Sequence, residues 1–216
     1  MNLTAEQLGA IAAKVGSMKL PRGMGDKRNA CSIAAINLAL SGRLTDAVPD
    51  CMSAVIGDWI IKTQDAMPHK MRNSKIWKGL LPLAAGTGRE HEKGRLAMVV
   101  DWLWTVVLPY LQPVADANGY GKEWRAMYET RTAGAAMQAA KAAKAAKAFD
   151  AVAAADATWA VIAAGQSPRA ADYAADGAAE VAEAAAKVVK KSGDPKKAWA
   201  HFDPCGLLQK LIEVGK

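Results

Sequence analysis

The chain is poor in the residues that most often carry chemistry. Its three histidines, His69, His91 and His201, stand alone, with no HExxH pattern and no Glu or Cys at ligand spacing, so no metal site is expected. Three cysteines, Cys31, Cys51 and Cys205, are odd in number and show no CxxC spacing, which argues against a disulfide framework or a zinc site. No stretch alternates β-branched or aromatic residues with polar ones, which excludes a sheet protein. The start, MNLTAEQLGA, has neither a basic cluster nor an apolar core, so a secretory leader is not expected. Long apolar runs are absent too: the longest, Leu96–Leu111, holds Asp101 and is too short to span a bilayer. These absences lead us to expect a cytoplasmic protein with free thiols, no membrane segment and no cofactor.

What is present is helix. Between Ala133 and Ala186, 28 of 54 residues are alanine, the strongest helix former. The predicted fold class is all-α, a helical bundle with a long alanine-rich antiparallel hairpin. Leu96–Leu111 reads as its central buried helix, apolar on every side except that of Asp101 and Thr105, which sit one turn apart. Pro109 should kink that helix. Thr87-Gly88-Arg89-Glu90 matches a capping box and predicts the helix start. The same run could be mistaken for a phosphate loop, but it lacks the Gly-Lys-Ser/Thr ending and follows no strand.

Other boundaries follow from similar signals. Thr4 to Gln7 is a second capping box, opening a helix that closes near Gly16. Asp26 is placed to cap a helix through Ala30–Leu40, ended by Gly42. Ser53 to Ala66 forms another, and a short one begins at Asn73 or Ser74 and breaks at Pro82. Ala54–Ile61 resembles Ala97–Trp104, 43 residues on, a spacing seen in two-helix repeats, although similar core packing would give the same pattern. Gly119-Tyr120-Gly121 marks a break, so we expect an N-terminal helical core over residues 1–121 and an alanine-rich part over residues 122–216. In the latter, one helix from Lys122 to Ala164, disturbed near Thr132 to Gly134, should turn at Gly165–Pro168 and pair with a second running to Lys191. That pairing would set Glu183 near Lys147 and Phe149. Asp194-Pro195 and Asp203-Pro204 each open a helix, the last docking its apolar face on the core. The seven tryptophans, against two phenylalanines, read as packing anchors.

Charge is uneven. The net charge is +7, and residues 1–100 carry 14 Lys/Arg against 8 Asp/Glu, the density peaking between Lys62 and Arg95. Arg72, Lys75 and Lys78 surround the helix start at Asn73-Ser74, the wrong end for positive charge. Amides at a helix start with cations nearby form an anion site, so Arg72, Asn73, Ser74, Lys75, Lys78 and Arg89 are the candidate ligands for a phosphate-bearing molecule, against the alternative that they are solvated surface charges. If they bind an anion, glutamate at positions 72 and 75 should abolish binding and slightly stabilise the fold. Cys31, one turn after Lys27, could have a lowered pKa, and Asp58 or Asp101 could act as acids. A buried thiol and satisfied carboxylates are the plainer readings. No catalytic residue is assigned.

Several phrases resemble those of a known group. Cys31-Ser-Ile-Ala-Ala-Ile-Asn37, Pro49-Asp-Cys-Met-Ser53, Gln64-Asp-Ala-Met-Pro68 and Leu81-Pro-Leu-Ala-Ala-Gly-Thr-Gly-Arg89 look like segments of uncharacterised alanine-rich helical proteins of bacteria and their phages, over roughly residues 29–125. Gly57-Asp58-Trp59 and Leu96–Leu111, with the alanine-rich tail, resemble immunity proteins of polymorphic-toxin systems. The resemblance implies no site residues. It implies a basic, non-enzymatic binding protein that neutralises or sequesters a protein partner in bacterium-phage conflict, of immunity or anti-defence type. The alternative is a module binding a small anionic ligand such as a nucleotide signal, and an enzyme using Cys31 or a buried Asp comes third. The alanine-rich helices could also pair between chains, giving a homo-oligomer.

Overall fold

In the computed structural model the described residues are 3–164 and 194–215, with 177, 180, 181, 183–185 and 187 of the segment between. Every regular element among them is helical, apart from one isolated antiparallel bridge between Gly25 and Ala30. The chain is an all-α helical bundle. It divides into two compact units, Met1–Arg95 with Pro204–Lys216, and Leu96–Asp203. The break expected at Gly119–Gly121 falls inside the second unit: composition changes there, but burial partners do not.

The first unit opens with α1 (Ala5–Ser17), whose capping box is complete, Thr4 Oγ1 accepting from Gln7 N and Gln7 Oε1 from Thr4 N. It buries Ile11 and Val15 and packs on α2 (Ser32–Ser41) and α5 (Lys75–Ala85). Helix α2 is capped by the Cys31 sulfur, which accepts from Ala34 N at 3.4 Å, and ends at Gly42 in the left-handed region. Asp26 does not cap it. Its carboxylate closes a local turn instead, accepting from the amides of Arg28 and Asn29, and these bonds hold its pKa below the usual carboxylate value. Helix α3 (Ala54–Ala66) presents Val55, Ile56, Trp59, Ile60 and Thr63 to the core, and the short α4 (His69–Arg72) leads into α5.

Helix α5 is where the Trp59–Trp77 ring pair meets, at 6.2 Å between centroids, and Trp77 Nε1 donates to Ser32 Oγ. Pro82 does not break α5, which runs on to Ala85. Proline costs a helical hydrogen bond and crowds the preceding turn, but here it lies in the last turn, and that turn carries Leu81, Ala84 and Ala85 into the core. The C-terminal helix α13 (Pro204–Glu213) docks on α3 and α5 through Leu207, Leu208, Leu211 and Ile212, as its apolar face predicts.

The second unit is reached through α6 (Glu92–Trp102), inside which the division falls. The helix begins at Glu92, four residues later than the Gly88 start that a Thr87 capping box predicts. Its Asp101 and Thr105 side is exposed, while Val99, Trp102, Leu103, Trp104, Val107, Leu108 and Leu111 are buried. Pro109 does perturb it, in a specific way. Leu103–Val107 widens into a π-turn, with Leu108 N donating to Leu103 O five residues back. The wide turn separates the Pro109 ring from the carbonyl one turn earlier, which an ideal α-helix would bring into collision. The carbonyl of Leu108 then accepts from Leu111 N and from Trp124 Nε1.

Four helices follow: α7 (Leu108–Tyr110), α8 (Gln112–Ala117), α9 (Gly121–Thr130) and α10 (Ala133–Ala145), then α11 (Phe149–Ala164). The single helix expected from Lys122 to Ala164 is therefore three. Its breaks are at Arg131 and Lys147, both left-handed and neither a glycine. At Lys147 the chain forms a Schellman turn, Ala148 N donating to Ala143 O. An alanine-rich hairpin results, α10 packing on α11 through Ala136, Ala139, Ala140, Ala143, Ala151, Ala154 and Ala155, and it turns at Lys147. The turn expected at Gly165–Pro168 lies outside the described residues. Beyond it, Gly177 lies against α11, where a Cβ would come within 2.8 Å of Val161 Cγ2, and Glu183 pairs with Lys187 at 3.0 Å.

Helix α12 (Pro195–Phe202) is capped by Asp194, which accepts from Lys196 N. Its Trp199 and Phe202 join Trp102 and Tyr110 in an aromatic cluster, with edge contacts of 5.4 to 6.4 Å centred on Phe202. Six of the seven tryptophans are buried, and Trp159 is exposed. Trp102 also donates through Nε1 to Phe202 O at 2.7 Å. Trp102→Ala should therefore destabilise by about 3–5 kcal/mol in urea denaturation. A loss under about half a kcal/mol, as at ordinary surface positions, would place this helix face in solvent.

Candidate interaction surface on helix α5

The basic segment is built differently from its sequence reading. Ser74 does cap α5, accepting from Trp77 N. Arg72, however, is 7% exposed, and its guanidinium donates to the carbonyls of Leu20, Gln64 and Met67. Burial, with the nearby Arg22 charge, pulls its pKa below the ordinary value. Asn73 bonds both ways to Leu20, its Oδ1 accepting from Leu20 N and its Nδ2 donating to Leu20 O. Lys78 reaches the carbonyls of Gly16 and Met18 at the C-terminal end of α1, where a cation suits the dipole. The charges that look misplaced at one helix start thus serve carbonyls elsewhere. Lys75 remains exposed at the start of α5. Arg89 lies beyond the other end, about 16 Å away for eleven residues of helix, and its guanidinium is 4.0 Å from Asp50. The structure brings Arg72, Asn73, Ser74 and Lys78 together as a brace joining α1, α4 and α5, and leaves Arg89 apart from them.

A second polar cluster has no counterpart in the sequence reading. Glu92 reaches across to the N-terminus of α3, accepting from Ser53 Oγ, Ala54 N and Val55 N at 2.8 to 3.1 Å. Its carboxylate occupies the place an anion would take at that helix start. Thr87 is drawn into the same junction, its hydroxyl accepting from Ser53 N and donating to Ala84 O, which is why it caps no helix. Arg95, 1% exposed, donates to the carbonyls of Thr87, Gly88, Leu211 and Val214. Burial lowers its pKa, opposed by Glu92 and Glu90. Only the i to i+3 spacing of Glu92 and Arg95, with Glu90 and Arg89 nearby, hints at this junction in the sequence.

The possible reactive groups are unremarkable in their settings. Burial raises the pKa of the Cys31 thiol, outweighing the Ala34 and Ile33 amides, and the Asp46 and Asp65 carboxylates push the same way. Cys31 is thus a protonated helix cap, and Lys27 does not activate it. Cys51 is raised likewise by burial. Asp101 is exposed, 3.9 Å from Arg131 Nη1, and Thr105 Oγ1 donates to its main-chain carbonyl. Arg131 also lies 5.9 Å from the centre of the Trp104 ring. Among the described residues no three His, Cys, Asp or Glu side chains lie close enough to hold a metal ion, and no helix is long and apolar enough to cross a membrane.

What stands out is apolar. Ile76 and Leu83 on α5 are 67% and 49% exposed, seven residues and two turns apart, hence on one line of the helix. Leu80 lies between them, half-buried, and Gly79 beside them, exposed. A Cβ on Gly79 would meet nothing within 4 Å. No internal packing demands glycine at this position, and Gly79→Ala should stabilise the fold by about 0.4–1 kcal/mol, read from the midpoint of urea unfolding. A loss of stability would show that the flat spot is already filled.

No protein-family model, no curated protein and no solved structure matches the chain.

Proposed function

We propose that the chain is a non-enzymatic helical binding protein that neutralises or sequesters a protein partner, in the manner of immunity or anti-defence proteins of bacterium-phage conflict, acting in the cytoplasm. The observation supporting this is the exposed apolar line of α5, Ile76 and Leu83 in particular, set in the most basic stretch of the chain. Contiguous exposed apolar side chains rimmed by polar ones mark protein-interaction surfaces. The basic side chains best placed for the alternative, a small anionic ligand, already donate to carbonyls: Arg72 to three and Lys78 to two. Native mass spectrometry of the protein purified from its host separates the readings. A retained protein chain is the expected result, and a retained nucleotide or a bare chain overturns it.

A further inference from the structure

The stretch of chain that holds the α5 line carries charge of one sign. Between Asp65 and Glu90 the sequence has no acidic residue, against Lys70, Arg72, Lys75, Lys78 and Arg89. Lys75 is exposed in the first turn of α5 and Lys70 on α4 just before it, while Arg89, just past the C-terminal end of α5, lies 4.0 Å from Asp50. Arg72 and Lys78 are bonded to carbonyls. The helix N-terminus adds positive potential to that end. An apolar line two turns long, with a flat glycine beside it and cations at its N-terminal end, complements one kind of object. An amphipathic helix recognised by a groove or face uses apolar anchors at i, i+3 or i+4 and i+7, the spacing of Ile76, Leu80 and Leu83 themselves. Gly79 lets a second backbone approach closely, as small residues do at helix pairs.

We propose that α5 docks an acidic amphipathic helix of a protein partner, with Ile76, Leu80 and Leu83 as anchors, Gly79 as the point of closest approach, and Lys70 and Lys75 facing its carboxylates. This rests on the protein-binding reading above and adds the surface and the chemistry of the partner. Charge on the rim steers association and makes it salt-dependent, whereas loss of an anchor mainly speeds dissociation.

The test uses the full chain, labelled with nitrogen-15, and three synthetic peptides of about 18 residues, long enough to be helical when bound. One carries leucine at i, i+4, i+7 and i+11 with glutamate on the other faces; the second replaces its glutamates by lysine; the third replaces its leucines by serine. The glutamate–leucine peptide should bind, shift the amides of residues 70–83, and weaken as salt rises. The lysine and serine peptides should bind at least about tenfold more weakly, given the cost of like charge and of lost anchors. Ile76→Ser with Leu83→Gln should abolish binding at an unchanged melting temperature. Lys70→Glu with Lys75→Glu, which leaves the apolar face intact, should reverse the preference toward the lysine peptide. Equal binding of the acidic and basic peptides, shifts centred away from α5, or no binding of the acidic peptide would overturn the assignment. So would sedimentation showing self-association that the Ile76→Ser, Leu83→Gln variant loses, or α5 shifts caused by anionic phospholipid vesicles alone. If the host-purified variant with Ile76→Ser and Leu83→Gln still retains a protein partner in native mass spectrometry, the surface assignment fails and the protein-binding reading stands. A bare parent chain there removes the reading itself.

Discussion

Arg72→Glu is expected to destabilise the fold by at least about 3–5 kcal/mol, the cost of leaving a buried charge without its partner. The guanidinium of Arg72 is the donor for three main-chain carbonyls, those of Leu20, Gln64 and Met67, and each one left unpaired costs about 1–3 kcal/mol. Glutamate brings a second penalty, because a carboxylate would face oxygens that can only accept. Against a total stability of about 5–15 kcal/mol, this is enough to unfold much of the population. Lys75→Glu should behave oppositely, stabilising by about 0.3–1 kcal/mol, because Lys75 is exposed in the first turn of α5 and an acid suits the helix dipole there. Were both side chains part of an anion site, glutamate at the two positions together would slightly stabilise the fold; the structure separates them. Urea denaturation of the two single variants decides the matter, and a loss under about 1 kcal/mol for Arg72→Glu would mean that the brace is not formed in solution.

Arg95→Met should cost a similar amount, about 3–5 kcal/mol, for a related reason. Methionine fills much of the space of the arginine stem but donates nothing, so the carbonyls of Thr87, Gly88, Leu211 and Val214 lose their common partner. Two of these, Leu211 and Val214, lie at the C-terminal end of α13, where the last carbonyls have no partner within the helix. The variant should therefore loosen α13 first, seen as faster hydrogen exchange at Leu208, Leu211 and Ile212 than at Ile33 or Ile36. Uniform acceleration across the first unit would show that Arg95 supports the whole unit rather than its last helix. Exchange unchanged at α13 would show that the guanidinium does not hold that end.

The two capping boxes show how far local signals reach. Thr4 and Gln7 form theirs because both bonds lie within four residues and nothing else competes for the groups. Thr87 has the same signature, but its hydroxyl is taken by Ser53 N, 34 residues away in sequence. Nothing within a helix-length window records that competition. Glycine and proline were similarly informative where they acted alone. Gly42 ends α2 in the left-handed region and Asp194-Pro195 opens α12, as expected. Pro82 was overridden by burial of the turn that contains it, and Pro109 was accommodated by a π-turn whose type its sequence does not indicate.

By itself the sequence determined the all-helical class, the buried face of Leu96–Leu111 with Asp101 and Thr105 outside, and the alanine-rich packing, because these depend on propensity and periodicity carried within each segment. Only the structure reveals the turns at Arg131 and Lys147 within the alanine-rich stretch, since both are left-handed and neither is the glycine that usually marks such a turn. It also decided the fate of the basic residues. A cation in a sequence has no direction, and whether it meets an anion, water or a carbonyl depends on which chain segments fold beside it. For Arg72 and Arg95 some of those carbonyls lie 52 and 116 residues away, and Ile76 and Leu83 stay exposed to solvent.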